Sequence, residues 1–208
     1  MSLVITIGRQ YGSAGIEIGK KIADILGIPC YDKELVEMAA KKSNLSSEAL
    51  KDIDERATSS FLYSVVSGHY SMRGIGSPVH YDLPINDKLF IAQSEVIKEL
   101  AAQDCVIVGR CADYVLENEE NVNVLSVFVY SSMEYRIQHV MEAFDITRVK
   151  ARDAILKADK RRRNYYEYYS SKDWGVMTNY HMCLDVEKIG IDNVAQMVAD
   201  CARNMKKQ

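Results

Sequence analysis

Three short runs of mostly apolar or β-branched residues constrain the fold of this chain more than any other feature. They cover residues 3–7, Cys105–Val108 and Val122–Tyr130, and none alternates cleanly between apolar and polar side chains. Such continuous apolar character is typical of strands in a parallel sheet that helices cover on both faces. Residues 28–31 and 181–186 are two weaker strand candidates.

Helical patterns lie between these runs. Ile18, Ile22 and Ile25 recur at the spacing of one helix face, and Gly27 follows them as a stop signal. A further apolar stripe runs through residues 89–100. Strands that alternate with helices in this way predict a doubly wound α/β domain.

Two helix starts can also be predicted from capping residues. Ser131 and Glu134 have the spacing of a capping box, which would open a helix that continues through Val140. Asp192 would cap the last helix of the chain, whose apolar face includes Val194.

The composition limits the classes of function. With 26 Lys plus Arg against 29 Asp plus Glu, the 208 residues carry a formal net charge of −3, which gives no overall attraction to nucleic acid or membranes. No apolar run approaches the ~20 residues of a membrane-spanning helix, and no basic leader is visible, so we expect a cytoplasmic protein without a membrane partner.

Five cysteines without CxxC spacing predict reduced thiols and no structural zinc site. The length predicts a single domain over residues 1–208.

Two stretches interrupt the alternation of strands and helices. Residues 32–85 are helical and charged at first, and residues 59–84 are rich in Ser, Gly, Tyr and His. Residues 147–179 hold a dense basic stretch, 157–163, followed by tyrosines at positions 165, 166, 168 and 169. Long, weakly patterned segments inside a compact domain usually carry function.

A glycine-rich loop follows the first predicted strand. It runs from Gly8 to Gly15 and leads directly into the first predicted helix, a context in which backbone N–H groups can bind a phosphate. The pattern GxxxxGK[ST] is not met, because Ile16 stands at the lysine position and Glu17 at the Ser/Thr position. A glycine turn that only packs helix against strand is the alternative.

Basic residues are candidates for the same site. Arg110 follows the buried run 105–108, so it would lie beyond the carboxyl end of a strand, where open α/β sheets bind ligands. The planar guanidinium group matches a phosphate well, and a surface ion pair is the alternative for Arg110. The basic stretch 157–163 would form a mobile cationic flap over a phosphate site, a solvated helix face, or, with the tyrosines, a platform for single-stranded nucleic acid. Tyrosines at this spacing favour packing, which argues against nucleic acid as a partner.

Together these segments resemble the cytidylate kinase-like family, a branch of the nucleoside monophosphate kinases. The matching segments are residues 5–15, 28–34, 106–113, 127–136, 159–163 and 174–192. The resemblance implies a phosphate-loop (P-loop) three-layer α/β fold with a five-stranded parallel sheet and two mobile insertions. The first, at about 32–85, would close over a nucleoside monophosphate (NMP), and the second, at 147–179, would be a lid over the donor phosphates.

The resemblance also implies roles for individual residues. Arg110, Asp159 and Arg162 would be catalytic, and Asp32 and Arg110 would bind the acceptor. ATP would contact the loop and the lid through Gly8, Arg9, Gln10, Tyr11, Gly12, Ser13, Ala14, Gly15, Ile16, Glu17, Arg161 and Arg163. Mg²⁺ would accompany ATP, and no protein ligand for the metal is assigned.

This chain departs from the family pattern at three positions. Ile16 replaces the loop cation, Cys111 replaces an aspartate, and Ile155 replaces an arginine four residues before Asp159. Arg9 or an arginine of the lid would then supply the missing positive charge.

The function that the resemblance implies is transfer of the ATP γ-phosphate to a nucleoside monophosphate, CMP or dCMP first. A nucleotide-binding regulator without transfer activity, or a kinase for another small phosphorylated acceptor, is the alternative. Residues 59–84 are long enough to mediate a contact between two copies of the chain.

Overall fold

The computed structural model describes residues 1–42 and 85–205. Most of the predicted insertion at 32–85, including the segment 59–84, therefore lies outside the described residues.

The strands form one parallel five-stranded sheet, as predicted. They are β1 (Ser2–Arg9), β2 (Cys30–Tyr31), β3 (Cys105–Val108), β4 (Val122–Tyr130) and β5 (Met182–Asp185), in the spatial order β2-β3-β1-β4-β5. The central strand β1 pairs with β4 along its whole length, from Ser2 opposite Val122 to Arg9 opposite Val129. Its carboxyl end therefore lies in the middle of one edge of the sheet, where the glycine-rich loop begins.

Helices cover both faces of the sheet and make the fold a three-layer α/β structure. They are α1 (Gly15–Leu26), α2 (Glu34–Lys42), α3 (Ile85–Leu100), α4 (Ala112–Val115), α5 (Met133–Phe144), α6 (Arg148–Ser170), α7 (Val186–Ile189) and α8 (Ile191–Met205), with a 3-10 turn at Met177–Asn179. Ile5 and Ile7 of β1 pack with α1 and α8 on one face, while Val4 packs with α2, α3 and α4 on the other. The continuous apolar runs are thus explained by burial on both faces.

The helix ends test the predicted capping residues. Gly27 adopts φ 66° after the last turn of α1 and confirms the predicted stop. The predicted capping box is wrong: Ser132, not Ser131, caps α5 by accepting a hydrogen bond from the Tyr135 N–H at 3.2 Å. The reason is that Ser131 is buried beside the end of β4, and Glu134 instead contacts Arg148.

Asp192 is not the cap of the last helix, which corrects a second prediction. Helix α8 begins at Ile191, because the N–H of Val194 already donates to the Gly190 carbonyl at 3.0 Å. Asp192 therefore lies inside the first turn, where its carboxylate pairs with Lys21 Nζ at 2.8 Å. Within residues 1–42 and 85–205, no helix combines the length and apolar character needed to cross a bilayer.

Candidate functional site

Arg9, the last residue of β1, extends its side chain through a gap between two glycines. A Cβ atom on Gly15 would lie 2.7 Å from the Cβ and Cγ atoms of Arg9, and one on Gly109 would collide with its Nη1 atom. These distances are far below van der Waals contact, so any side chain at either glycine would displace the arginine. The two glycine-containing turns after β1 and β3 thus make room for one cationic side chain.

Arg9, Arg110 and Arg162 form a cluster of positive charge at the carboxyl edge of the sheet. Burial, the nearby charge of Arg162 and, to a smaller extent, that of Arg110 together lower the pKa of Arg9 to about 9, while Asp32 opposes the shift. Burial also lowers the pKa of Arg162. Both groups remain protonated near neutral pH, so like charges are held together where water screens them poorly.

The cluster has less negative charge around it than positive charge within it. Asp32 Oδ1 lies 3.4 Å from Arg9 Nη2, and both side chains are only 16% exposed. The buried Nε atom of Arg9 has no hydrogen-bond partner among the described residues. Buried donors are nearly always paired in folded proteins, so an unpaired guanidinium nitrogen beside two further arginines favours an anionic ligand.

The turn that carries Arg110 is strained. Gly109, Arg110 and Cys111 have φ values of 80°, 58° and 54° in succession. For the two residues with side chains, this left-handed conformation costs on the order of 1 kcal/mol or more each. Such strain concentrates at functional sites, where the surrounding structure enforces it. Here the Gly109 N–H donates to the Ile7 carbonyl at 3.0 Å and ties the turn to β1.

The glycine-rich loop is fixed by a backbone hydrogen bond to β4 and by the side chain of Ser13. The Gln10 N–H donates to the Val129 carbonyl at 3.2 Å, and Ser13 Oγ donates to the Gln10 carbonyl at 2.9 Å. Ala14 then turns the chain into α1 with φ 58° and offers no side-chain cap.

Helix α1 consequently begins with open donors beside the arginine cluster. Within the described residues, the N–H groups of Gly15, Ile16 and Glu17 have no hydrogen-bond partner. Unpaired N–H groups and the positive end of the helix dipole favour an anion at this position.

Helix α6 brings two predicted residues to the loop. The Tyr11 N–H donates to Asp159 Oδ1 at 2.7 Å, and Arg162 Nη1 donates to the Arg9 carbonyl at 3.2 Å. The Arg162 guanidinium also lies 5.3 Å from the centre of the Tyr11 ring, in cation–π contact. Asp159 and Arg162 are therefore assembled with the glycine loop, although about 150 residues separate them in sequence.

Four other predicted residues are placed differently. Ile16 packs partly buried against the apolar core, and Glu17 is exposed in the first turn of α1. Arg161 is exposed, while Arg163 lies 3.9 Å from Glu167 and 5.7 Å from the Trp174 ring centre. Contacts of these four side chains with ATP remain predictions.

Two residues of α5 that the sequence interpretation left without a role also hold the loop. Arg136 Nη1 lies 2.6 Å from Asp159 Oδ2 and 3.4 Å from the Tyr11 carbonyl. His139 Nδ1 lies 2.9 Å from the Gly12 carbonyl, and it must be the donor because a carbonyl only accepts. Their spacing of three residues, on the helix that follows β4, places both side chains on one helix face and was the available signal.

Three of the four tyrosines of α6 pack against the protein as predicted: Tyr166 is buried and Tyr165 and Tyr169 are partly buried, whereas Tyr168 is exposed. Tyr169 stacks on Phe90 with ring centres 3.8 Å apart and donates to Asp87 at 3.0 Å. Tyr166 donates to Asp113 at 2.7 Å, and burial raises the pKa of that carboxyl. These side chains anchor the end of α6 to α3 and α4.

A cavity of about 330 Å³ lies elsewhere on the sheet, lined in part by Ser126, Lys172 and His181. None of the predicted site residues lines it, so we do not place the ligand there. Among the described residues, no group of three or more His, Cys, Asp or Glu side chains is arranged to hold a metal ion.

The five-stranded parallel sheet, with a glycine loop leading from β1 into α1, is the fold of the P-loop kinases. Shikimate kinase from Bacteroides thetaiotaomicron shares it, with a TM-score of 0.52 at 11% identity over 99% of both chains. A gluconokinase from Sinorhizobium meliloti 1021 gives a TM-score of 0.51 at 16% identity, over 99% of this chain and 96% of that one. At such identities the likeness concerns the fold alone.

The chain belongs to the cytidylate kinase-like family, whose family model matches residues 4–188. A cytidylate kinase of Methanoregula boonei is 25% identical over 125 residues, which is 60% of this chain and 66%, just under two thirds, of that relative. The crystal structure of an uncharacterised protein from Eubacterium ventriosum ATCC 27560 has a TM-score of 0.72 at 26% identity, over 98% of this chain and 99% of that one.

Proposed function

We propose that the protein transfers the γ-phosphate of ATP to a nucleoside monophosphate, with CMP or dCMP as the first candidates. The observation that carries the proposal is the arginine cluster of Arg9, Arg110 and Arg162 beside the open N-terminus of α1. Two phosphate-bearing substrates need such excess positive charge, because phosphoryl transfer depends on positioning and on neutralising oxygen atoms. The choice of cytosine is supported by the family and by the name of the Methanoregula relative, a cytidylate kinase.

Each cation of the cluster has a distinct place in this scheme. The N-terminus of α1 and Arg9 would hold the donor phosphates, with Arg9 replacing the loop lysine that this chain lacks. Arg110 would bind the acceptor phosphate, with Asp32 setting the position of Arg9. Arg162 would stabilise the group in transfer while an acceptor oxygen bonds to the γ-phosphorus and the bond to the β–γ bridging oxygen breaks. The products are ADP and a nucleoside diphosphate.

Magnesium fits this site as a companion of the nucleotide. Mg²⁺ commonly binds through one or two carboxylates together with substrate phosphates, and Glu17 in the first turn of α1 is the exposed carboxylate nearest in sequence to the loop. When bound, it would neutralise donor oxygen charge.

The predicted insertions at 32–85 and 147–179 would close over acceptor and donor, respectively, and exclude water.

The direct test is a panel of acceptors. The purified protein is incubated with ATP and Mg²⁺ and, separately, CMP, dCMP, UMP, AMP or GMP, and the diphosphate product is measured. We expect product with CMP or dCMP. ATP binding without product from any acceptor would contradict the proposal and support a nucleotide-binding regulator, an alternative favoured by the packing of Ile16 in the core.

The role of Arg9 has its own test. Arg9→Gln removes a charge that contacts Asp32 and faces the loop, and we expect ATP affinity to fall about tenfold or more, as for loss of a charge-assisted hydrogen bond. Arg152→Gln, an exposed residue of α6, is the matched control. Unchanged affinity in a folded Arg9→Gln protein would show that Arg9 does not replace the lysine.

A further inference from the structure

The glycine loop is held by a carboxylate from another helix. Asp159 accepts the Tyr11 N–H through Oδ1 at 2.7 Å, and its second oxygen accepts from Arg136 Nη1 at 2.6 Å. The side chains of Arg136 and Asp159 are only 6% and 15% exposed. The pair is therefore a fixed, largely buried element of the loop's surroundings.

A carboxylate at this position poses an electrostatic problem. The loop and the N-terminus of α1 offer donors to an anion. A negative side chain that contacts the same loop would repel the phosphates of a nucleotide. Water screens buried charges weakly, so the repulsion would not be relieved by solvent. A neutralising cation is needed if Asp159 is to hold the loop and the loop is to hold phosphate.

Arg136 supplies that neutralisation, and Asp159 is its acidic partner among the described residues. Its guanidinium group contacts Asp159, the Tyr11 carbonyl and, at 3.9 Å, the sulfur of Met133. Its buried Nε atom has no partner within the described residues. The charge of Arg136 is thus directed to a single carboxylate, the one that holds Tyr11.

The same two helices hold the neighbouring loop residues through neutral or cationic groups. His139 of α5 donates to the Gly12 carbonyl at 2.9 Å, and Arg162 of α6 donates to the Arg9 carbonyl at 3.2 Å. Asp159 is the negatively charged contact among these, and it is the one that carries a compensating arginine.

We propose that Arg136 and Asp159 are positioning residues that form a charge-neutral clasp on the glycine loop. Asp159 fixes the loop at Tyr11. Arg136 neutralises the charge of Asp159, so that the loop can still bind the phosphates of a nucleotide. The proposal rests on the proposed function in one respect, namely that a nucleotide binds at this loop. It does not require that phosphate be transferred.

The test compares single and double charge changes. ADP affinity is measured by calorimetry for the whole protein, for Arg136→Gln, for Asp159→Asn and for the double variant. We expect Arg136→Gln to weaken ADP binding about tenfold, because the Asp159 charge is then uncompensated. Asp159→Asn should stay within about threefold or bind more tightly, since its amide oxygen can still accept from Tyr11, and the double variant should return to within about threefold of the original protein.

Controls separate charge from structure. The exposed pair Glu134 and Arg148 has the same chemistry away from the loop, so Glu134→Gln and Arg148→Gln should leave ADP affinity unchanged. Arg136→Lys keeps the charge and should retain affinity within about threefold, which also covers the case in which Arg136→Gln does not fold. A double variant that binds ADP no better than Arg136→Gln, or an Asp159→Asn variant weakened more than tenfold, would overturn the neutral clasp.

The outcomes also distinguish this inference from the proposed function. ADP binding by the original protein with no diphosphate product from the acceptor panel would contradict transfer and leave the clasp to be judged by its variants. Absence of binding to both ADP and inorganic pyrophosphate would overturn both proposals.

Discussion

The middle of α6 and its last turns are attached to the protein by different chemistry. At its middle, Asp159 and Arg162 contact the glycine loop through charged groups. In its last turns, Tyr166 and Tyr169 pack against α4 and α3 through rings and hydroxyl groups. The charged contacts surround the candidate site, whereas the aromatic contacts lie away from it.

A single helix can therefore carry a functional contact in one part and a structural contact in another. Charged contacts near an anion site respond to ligand charge, whereas buried rings and a hydroxyl paired with a carboxylate contribute mainly to folding stability. Substitutions in the middle of α6 should therefore affect activity, and substitutions in its last turns should affect folding stability.

The largest effect is expected in the middle of α6, where the contacts with the loop are charged. Arg162→Gln should lower kcat about 100-fold, comparable to removal of one preorganised donor to a developing charge, while the melting temperature changes little. Steady-state kinetics with CMP or dCMP and a thermal melt check both parts. Arg152→Gln on the same helix is the control. A loss of folding stability large enough to account for the loss of activity would contradict a purely functional role of Arg162.

A smaller and opposite result is expected at the aromatic end. Tyr166→Phe leaves the ring in place but deprives the largely buried Asp113 carboxyl of its hydroxyl donor, which should cost about 1–3 kcal/mol of unfolding free energy. Denaturant titration measures that cost, and kcat should remain within about twofold. A large loss of kcat in the folded variant would show that the aromatic end also serves the reaction.

The smallest effect concerns pH at the same end. Burial raises the pKa of Asp113 in the folded protein above its unfolded value, so ionisation opposes folding. The contribution of Asp113 to stability is fully present below the unfolded pKa and is lost as pH rises through the folded pKa. The stability of the original protein relative to Asp113→Asn should therefore fall as the pH rises from about 4, the ordinary pKa of an aspartate, through the raised pKa of the folded state. A constant difference across that range would contradict the raised pKa.

The sequence was sufficient to predict the parallel sheet, because strands buried on both faces leave continuous apolar runs such as Cys105–Val108. It also placed Arg110 and Asp159 near the loop, through the strand-end rule for one and the family resemblance for the other. Residue type alone does not separate Arg162 from Arg161 and Arg163, and it was the family resemblance that assigned Arg162 to catalysis and the other two to ATP contacts. Three consecutive arginines look alike in sequence, and only the direction of each around α6 decides which one reaches the loop.

The roles of Arg136 and His139 depend on contacts between distant segments, which local patterns do not encode. His139 bonds a carbonyl of the loop 127 residues earlier in the chain. The misplaced caps of α5 and α8 have a simpler cause: serine occurs twice in succession at 131 and 132, and a glycine precedes α8, so the two predicted caps are displaced by one and two residues, respectively.

The fit of Arg9 between Gly15 and Gly109 has a consequence for how this protein can vary. A side chain at position 15 would collide with both the Cβ and the Cγ of Arg9, so Gly15→Ala should be tolerated only where position 9 is glycine. Positions 9 and 15 should therefore change together among natural variants. Chains that restore a lysine at position 16 would be free to lose both the arginine and the glycine at once.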